Sequence, residues 1–315
     1  MTRLTIDRFR CASALLLTAI AVGVFTIARA HAQEATSTPT AKAWNVPRLP
    51  WGAPDLQGVW TSTDLGASQR RSENTTPRTL SPETGDNTGG GPSHWAEPSK
   101  RVTFNVAPMT PLGKERAGTP RLGNGSAMHG PFDGPEELGT WVRCLTRGMP
   151  GAMTPSAYNS NYQIVQSPDH VVIMAEMIHD ARVIPVGGRP HVPSSIQQWL
   201  GNSRGRWEGE TLVVDVTNVS DQVSFRGSTG KLHVVERFTR TGPDTLHYEV
   251  SLDDPDAWTA PWQFSLDFTR DRDQAYVLEY ACHEGNHGLR NMLSASRALE
   301  TKAKAVEDSA QQPPK

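Results

Sequence analysis

Glu176, His179, Asp180, Arg182, Arg189 and His191 fall inside the otherwise apolar stretch from Met174 to His191. An ionisable group in a strand-like run is costly to bury unless it is paired or hydrogen-bonded, so the cluster is either a structural ion-pair network or a reactive site. A histidine held by a carboxylate and flanked by an arginine suits general acid/base chemistry, because imidazole titrates near neutral pH and guanidinium keeps its charge. On this reading His179 is the base, Asp180 or Glu176 orients it, and Arg182 stabilises developing negative charge. Tyr158 or His283 returns the proton. The competing reading is a hairpin stitched by a Glu–Arg or Asp–Arg pair, with an exposed histidine.

A second polar group runs from Glu279 to His287, E-Y-A-C-H-E-G-N-H. Its histidines and carboxylates offer metal ligands if His179 or His191 joins them, but the spacing is not H-E-x-x-H, and Asn286 or Glu284 serves equally well as a helix N-cap. The expectation is therefore no metal and no cofactor. Asn159 and Asn161, with Tyr158 between flanking polar residues, supply hydrogen bonds to hydroxyls or carbonyls. Arg143, Arg147, His191 and Glu284 complete the expected substrate contacts. G-x-x-x-x-G-K-[ST], G-x-G-x-x-G and C-x-x-C-H are all missing, which removes nucleotide and haem readings.

These residues need a scaffold, and the chain is organised in three parts. Residues 1–32 have the basic start (Arg3, Arg8, Arg10), apolar run and A-H-A end of a signal peptide, and a run of about 16 apolar residues falls short of the roughly 20 that span a bilayer. Export to the periplasm or beyond follows, with no membrane span left afterwards. Cys144 and Cys282 then remain in an oxidising compartment. One disulfide is expected, closing a loop of about 137 residues worth about 4–5 kcal/mol; a thiolate metal or nucleophile site is the alternative. If the bond forms, it brings Arg143 and Arg147 beside His283 and Glu284. Residues 33–140 form an irregular arm, with a short strand from Gly58 to Thr61 that docks the arm on the core and a Gly/Pro/Ser/Asn-rich stretch from Arg70 to Gly139 that is partly disordered or laid over an opening.

Residues 141–315 form the β-rich core. Strands are expected at Tyr162–Gln166, His170–Met177, Ala181–Val186, Thr211–Thr217, Leu232–Arg240, Thr245–Leu252, Trp262–Thr269 and Ala275–Ala281, joined by turns such as Ser167-Pro168-Asp169 and Glu208-Gly209-Glu210. A closely spaced antiparallel meander closes as a lipocalin-like barrel or folds as a sandwich. Only His287–Lys304 has helical spacing. In Leu232–Arg240 both faces mix charge with apolar bulk, so one face is expected to line a wet cavity. The 9 tryptophans, among them Trp199, Trp207, Trp258 and Trp262, serve core packing and offer aromatic faces to ring-shaped ligands.

The motifs P-D-L-Q-G-V-W (Pro54–Trp60), R-C-L-x-R-G (Arg143–Gly148), E-M-I-H-D-x-R (Glu176–Arg182), G-R-P-H (Gly188–His191), G-R-W-E-G-x-T-L-V-V-D (Gly205–Asp215) and Y-A-C-H-E-G-N (Tyr280–Asn286) occur together. In this the chain resembles a large group of secreted bacterial proteins of soil and aquatic lineages. The resemblance covers most of the mature chain, implies export, and supplies no mechanism. Glu210 stands where the group's pattern has Asp.

With 31 Lys plus Arg against 33 Asp plus Glu the chain is near neutral, which argues against nucleic acid or an anionic membrane surface and for a small-molecule partner. The leading expectation is a metal-independent lyase or isomerase acting on a small cyclic oxygenated or aromatic compound. A lipocalin-like binding protein without catalysis is the second reading, and a metal-dependent hydrolase using His179, His191 and His283 is the third.

Overall fold

The computed structural model describes residues 44–62, 106–119, 122, 132–155, 159–272 and 274–310. Expectations for the signal peptide, most of the arm from Arg70 to Gly139, and Tyr158 lie outside these residues.

The architecture is mostly antiparallel β, a nearly closed barrel with a C-terminal helix. Its strands are β1 (Gly58–Thr61), β2 (Asn161–Gln166), β3 (His170–Ala175), β4 (Ala181–Pro185), β5 (Asn202–Glu208), β6 (Thr211–Thr217), β7 (His233–Gly242), β8 (Thr245–Asp253) and β9 (Trp262–Arg270). They form one 9-stranded sheet in the order β4-β3-β2-β1-β9-β8-β7-β6-β5. Every neighbouring pair is antiparallel, so with an odd number of strands the two edges run the same way and can meet only as a parallel pair. Val186 and Gly205 form that parallel bridge. A Cβ on Gly205 would lie 3.1 Å from Ile184 Cγ2 and 3.2 Å from Val186 Cγ2, so a glycine at this point lets β5 approach β4.

Period-two alternation decides what faces inward. Leu212, Val214 and Val216 of β6, Val234 and Phe238 of β7, Tyr248 and Val250 of β8, and Phe264 and Phe268 of β9 all belong to the core. Aromatic rings meet across it, stacked for Tyr248–Phe268 with centroids 5.3 Å apart and tilted for Phe238–Tyr248 at 4.7 Å and Tyr162–Phe268 at 5.0 Å. Each such side chain, removed from water, contributes about 1.5–3 kcal/mol.

β1 sits within the wall, paired to β2 on one side and β9 on the other. α1 (Pro111–Ala117) lies in the stretch read from sequence as irregular; Thr110 caps it by accepting the Gly113 N–H at 3.0 Å, with proline at its first turn. β5 was not expected, because N-S-R-G-R-W-E has no apolar alternation and is held by pairing to β6. Ala275–Ala281 is not a strand. Both edges of β9 are already paired, by β8 and β1, so this run finds no free edge of β9 to extend the sheet and leaves Tyr276 and Leu278 exposed. The helix α2 (His287–Ala310) begins where expected, and its Leu289 N–H is accepted by Asn286 Oδ1 at 3.1 Å.

Candidate functional site

The E-M-I-H-D-x-R segment is re-aimed between β3 and β4. β3 ends at Ala175, and Glu176 turns into helical geometry ahead of a 3-10 turn over Met177–His179. That break in alternation buries Glu176, which parity alone would have placed outside with His170 and Met174. Ile178 has φ 66° and His179 φ 56°. A β-branched residue in the left-handed region is strained, and such strain persists where the surroundings impose it.

The turn separates the residues expected to act together. Glu176 Oε2 accepts from Asn161 Nδ2 at 2.7 Å. His179 is exposed, and its Nε2 accepts the Tyr280 N–H at 3.2 Å. That contact occupies the Nε2 lone pair. Arg182 pairs in register with Ile173, so it points into the barrel and does not lie across from Glu176 or Met177.

There Arg182 meets Glu236 of β7. Arg182 Nη1 donates to Glu236 Oε1 at 3.0 Å, Nη2 donates to Oε2, and Nη2 also donates to Ser203 Oγ at 3.2 Å. Tyr248 Oη donates to Glu236 Oε1 at 2.7 Å. Burial first, and the adjacent Glu236 charge next, push the Tyr248 phenol well above its ordinary pKa, so it stays a donor. Glu236 is fully buried. Around Glu236 the inward face of β7 is therefore closed to solvent, with its charge matched by Arg182. Arg182 Nε has no hydrogen-bond partner among the described residues.

At the seam between β4 and β5 a cavity of about 800 Å³ is bordered by Arg182 and Ser203. Asp180, Arg182 and Val183 line it from β4 and the turn before it, and Gln197, Gln198, Trp199, Asn202 and Ser203 line it from the other side. The wall carrying Trp199 is pinned by Asn218, whose Nδ2 donates to the carbonyls of Val192 and Pro193 at 3.1 and 3.0 Å while its own carbonyl accepts the Gln198 N–H at 2.9 Å. His191 anchors the same wall. Its Nδ1 contacts Asn202 Oδ1 at 3.0 Å and its Nε2 contacts Asp215 Oδ1 at 2.8 Å, while Asp215 Oδ2 lies 2.9 Å from His233 Nε2. Burial pushes the Asp215 carboxyl up, but the bonds and charge of His233 and then His191 more than offset this and hold it below its usual value.

Asp180 stands at the rim. Its Oδ2 accepts from Thr146 Oγ1 at 2.7 Å. Burial raises its pKa, and the bonds from Thr146 and the Arg147 backbone offset that only in part. A carboxyl raised on folding contributes stability below the unfolded value of 3.8 and loses it as pH rises through the folded value. Asp180→Asn should accordingly make the protein more stable than the parent at pH 7 with little difference at pH 3, as read by urea midpoints at both pH values.

The second cluster is tied down but dispersed. Cys144 and Cys282 form a disulfide across 138 positions. Arg147 has partners of its own. It is buried, donating from Nη1 to the Thr154 carbonyl at 3.1 Å and resting over the Trp141 ring, because a buried cation needs such partners, while His283 and Glu284 are exposed. Arg143 is half-buried beside the disulfide, and Asn159 is half-buried with φ 51°. Among the described residues, no three His, Cys, Asp or Glu are placed to hold a metal ion. His179, His191 and His283 are not gathered, since the first two are held by different partners.

Ser203, Glu236, Asn218, Asp215 and Asn202 were not singled out by sequence reading. Glu236 left one trace, a charge on the apolar face of an alternating strand.

The fold and the cavity define a class: a nearly closed antiparallel barrel with a polar recess at its seam. No family model matches the chain. No curated protein sequence matches it either. Among solved structures it is similar to a secretary abundant heat soluble (SAHS) protein from Ramazzottius varieornatus, with TM-score 0.24 and 8% identity over 35% of this chain and 70% of that one. A point mutant of the fluorescent protein UnaG gives TM-score 0.23 and 14% identity over 42% of this chain and 85% of that one.

Proposed function

We propose that the protein is an exported member of the secreted bacterial group it resembles, and that it binds a small oxygenated ring compound in the recess between β4 and β5. The observation that carries this reading is the recess of about 800 Å³, large enough for a drug-sized ligand, in which Gln197, Gln198, Asn202 and Ser203 surround the partly exposed Trp199. Amide and hydroxyl groups match hydroxyls and carbonyls, and an indole face matches a ring. Arg182 is charge-matched by Glu236, so what it offers a ligand is an N–H donor more than a net charge.

A second reading adds proton transfer. Its support is Asp180, which follows a strained turn, lines the recess, and has a raised pKa nearer the range useful for acid/base work. In this version of the lyase or isomerase proposal Asp180 replaces His179 as the base. The test is exchange of the α-protons of cyclohexanone in deuterated buffer, followed by NMR. Proton transfer at this site predicts protein-dependent exchange that is lost in Asp180→Asn and kept in His179→Ala. Exchange that survives Asp180→Asn, or none with the parent protein, overturns it and leaves binding alone.

A further inference from the structure

Arg240 ends the inward-facing row of β7 and is 8% exposed. Its guanidinium carbon lies 5.5 Å from the Trp44 ring centroid and 5.6 Å from that of Trp60, so the cation sits between two indoles. Its hydrogen bonds go to neutral groups, the carbonyls of Asp55 and Pro243, each at 2.8 Å. The carboxylate of Asp55 approaches only to 3.7 Å. Nε has no hydrogen-bond partner among the described residues. A second guanidinium, that of Arg270, lies 4.9 Å from the Trp60 centroid and donates to the Gln57 carbonyl at 2.6 Å. Two cations thus share one indole, and Asp244 is engaged by Arg272 at 2.6 and 2.9 Å. Burial, and then Arg270, lower the Arg240 pKa by more than the charges of Asp55 and Asp244 raise it.

Beside Arg240 a cavity of about 510 Å³ is lined by Trp44, Arg48, Glu210, Thr239 and Thr241. Glu210 is paired with Arg48 at its mouth. A buried cation with weak compensation favours an anion, while the Glu210 carboxylate in the same cavity disfavours a doubly charged one.

We propose that this cavity binds a monoanionic carboxylate whose charge completes the surroundings of Arg240 and whose ring lies against Trp44. It shares no lining residue with the recess at the seam and does not depend on that reading.

The test uses the mature chain, which contains Trp44, titrated with sodium benzoate by calorimetry or tryptophan fluorescence at constant ionic strength. Benzamide has the same ring without the charge, and inorganic phosphate carries more charge without a ring. Benzoate should bind in the millimolar range, benzamide about tenfold more weakly, and phosphate no better than benzamide. Arg240 also holds the Asp55 and Pro243 carbonyls, so Arg240→Gln probes folding as well as binding. Trp44→Leu lies outside the sheet and decides the matter, with benzoate affinity expected to fall about tenfold while the melting temperature without ligand stays put. Equal binding of benzoate and benzamide, tighter binding of phosphate, or unchanged benzoate affinity in Trp44→Leu would overturn the proposal. Asp180→Asn should leave benzoate binding unaltered; a loss there would mean that benzoate reads the seam recess.

Discussion

Arg182→Ala should lower the unfolding free energy by about 3–5 kcal/mol, the cost of leaving one member of a buried ion pair without its partner. Glu236 is fully buried, and removing Arg182 leaves its carboxylate with the Tyr248 hydroxyl alone. The penalty comes from stranding the charge, so removing both charges should cost far less. A Glu236→Leu, Arg182→Met, Tyr248→Phe triple variant, which strands no charge or phenol, should be markedly more stable than Arg182→Ala. Urea unfolding of the single and combined variants checks this, with a coupling energy of about 2 kcal/mol or more between positions 182 and 236. A loss under about 1 kcal/mol in Arg182→Ala would mean that the pair is solvated.

Replacing Cys144 and Cys282 together by serine should cost about 4–5 kcal/mol, because the bond closes a loop spanning 138 positions and its removal frees the unfolded chain. At about 2–4 °C per kcal/mol for a domain of this size, the melting temperature should drop by about 8–20 °C. The effect is also local. The bond clamps the segment after β9 against the barrel, where the Val277 N–H reaches Gln163 Oε1 at 3.4 Å, the Tyr280 N–H reaches His179 Nε2 at 3.2 Å, and Asn286 Nδ2 reaches the Val142 carbonyl at 2.8 Å. Loosening it should speed hydrogen exchange at Val277 and Tyr280 before the core strands respond. Intact-mass analysis of the periplasmic fraction tests export at the same time, with a mature chain that starts at Gln33 and has no free thiol expected. Retained residues 1–32 would count against export.

Much of the barrel was legible because alternation is a local property. Thr211–Thr217 was read with its observed bounds, and the apolar face of Trp262, Phe264, Leu266 and Phe268 is the face that packs. β5 and the absence of a strand at Ala275–Ala281 were not legible, because pairing decides both. A polar run became a strand by lying next to β6, and an aromatic run did not become one because β9 had no free edge. The site failed in the same way. The motif from Glu176 to Arg182 was found, but a 3-10 turn broke the parity that assigned its faces. The true partner of Arg182 lies 54 positions away on β7, where only barrel closure brings it. The pinning of Trp199 by Asn218 likewise depends on a left-handed residue that sequence periodicity does not mark.

The central claim is that the recess between β4 and β5 is a binding site. Its most direct test is saturation-transfer NMR of the mature protein with cyclohexanone, phenol and glucose, repeated on Val183→Trp. Val183 is 60% exposed and lines the recess, so a bulkier side chain there fills the opening without disturbing the core. The account predicts saturation transfer to at least one oxygenated ring in the parent protein and its loss in Val183→Trp at unchanged melting temperature. No transfer to any of the probes, or transfer that persists in the filled variant, would contradict it.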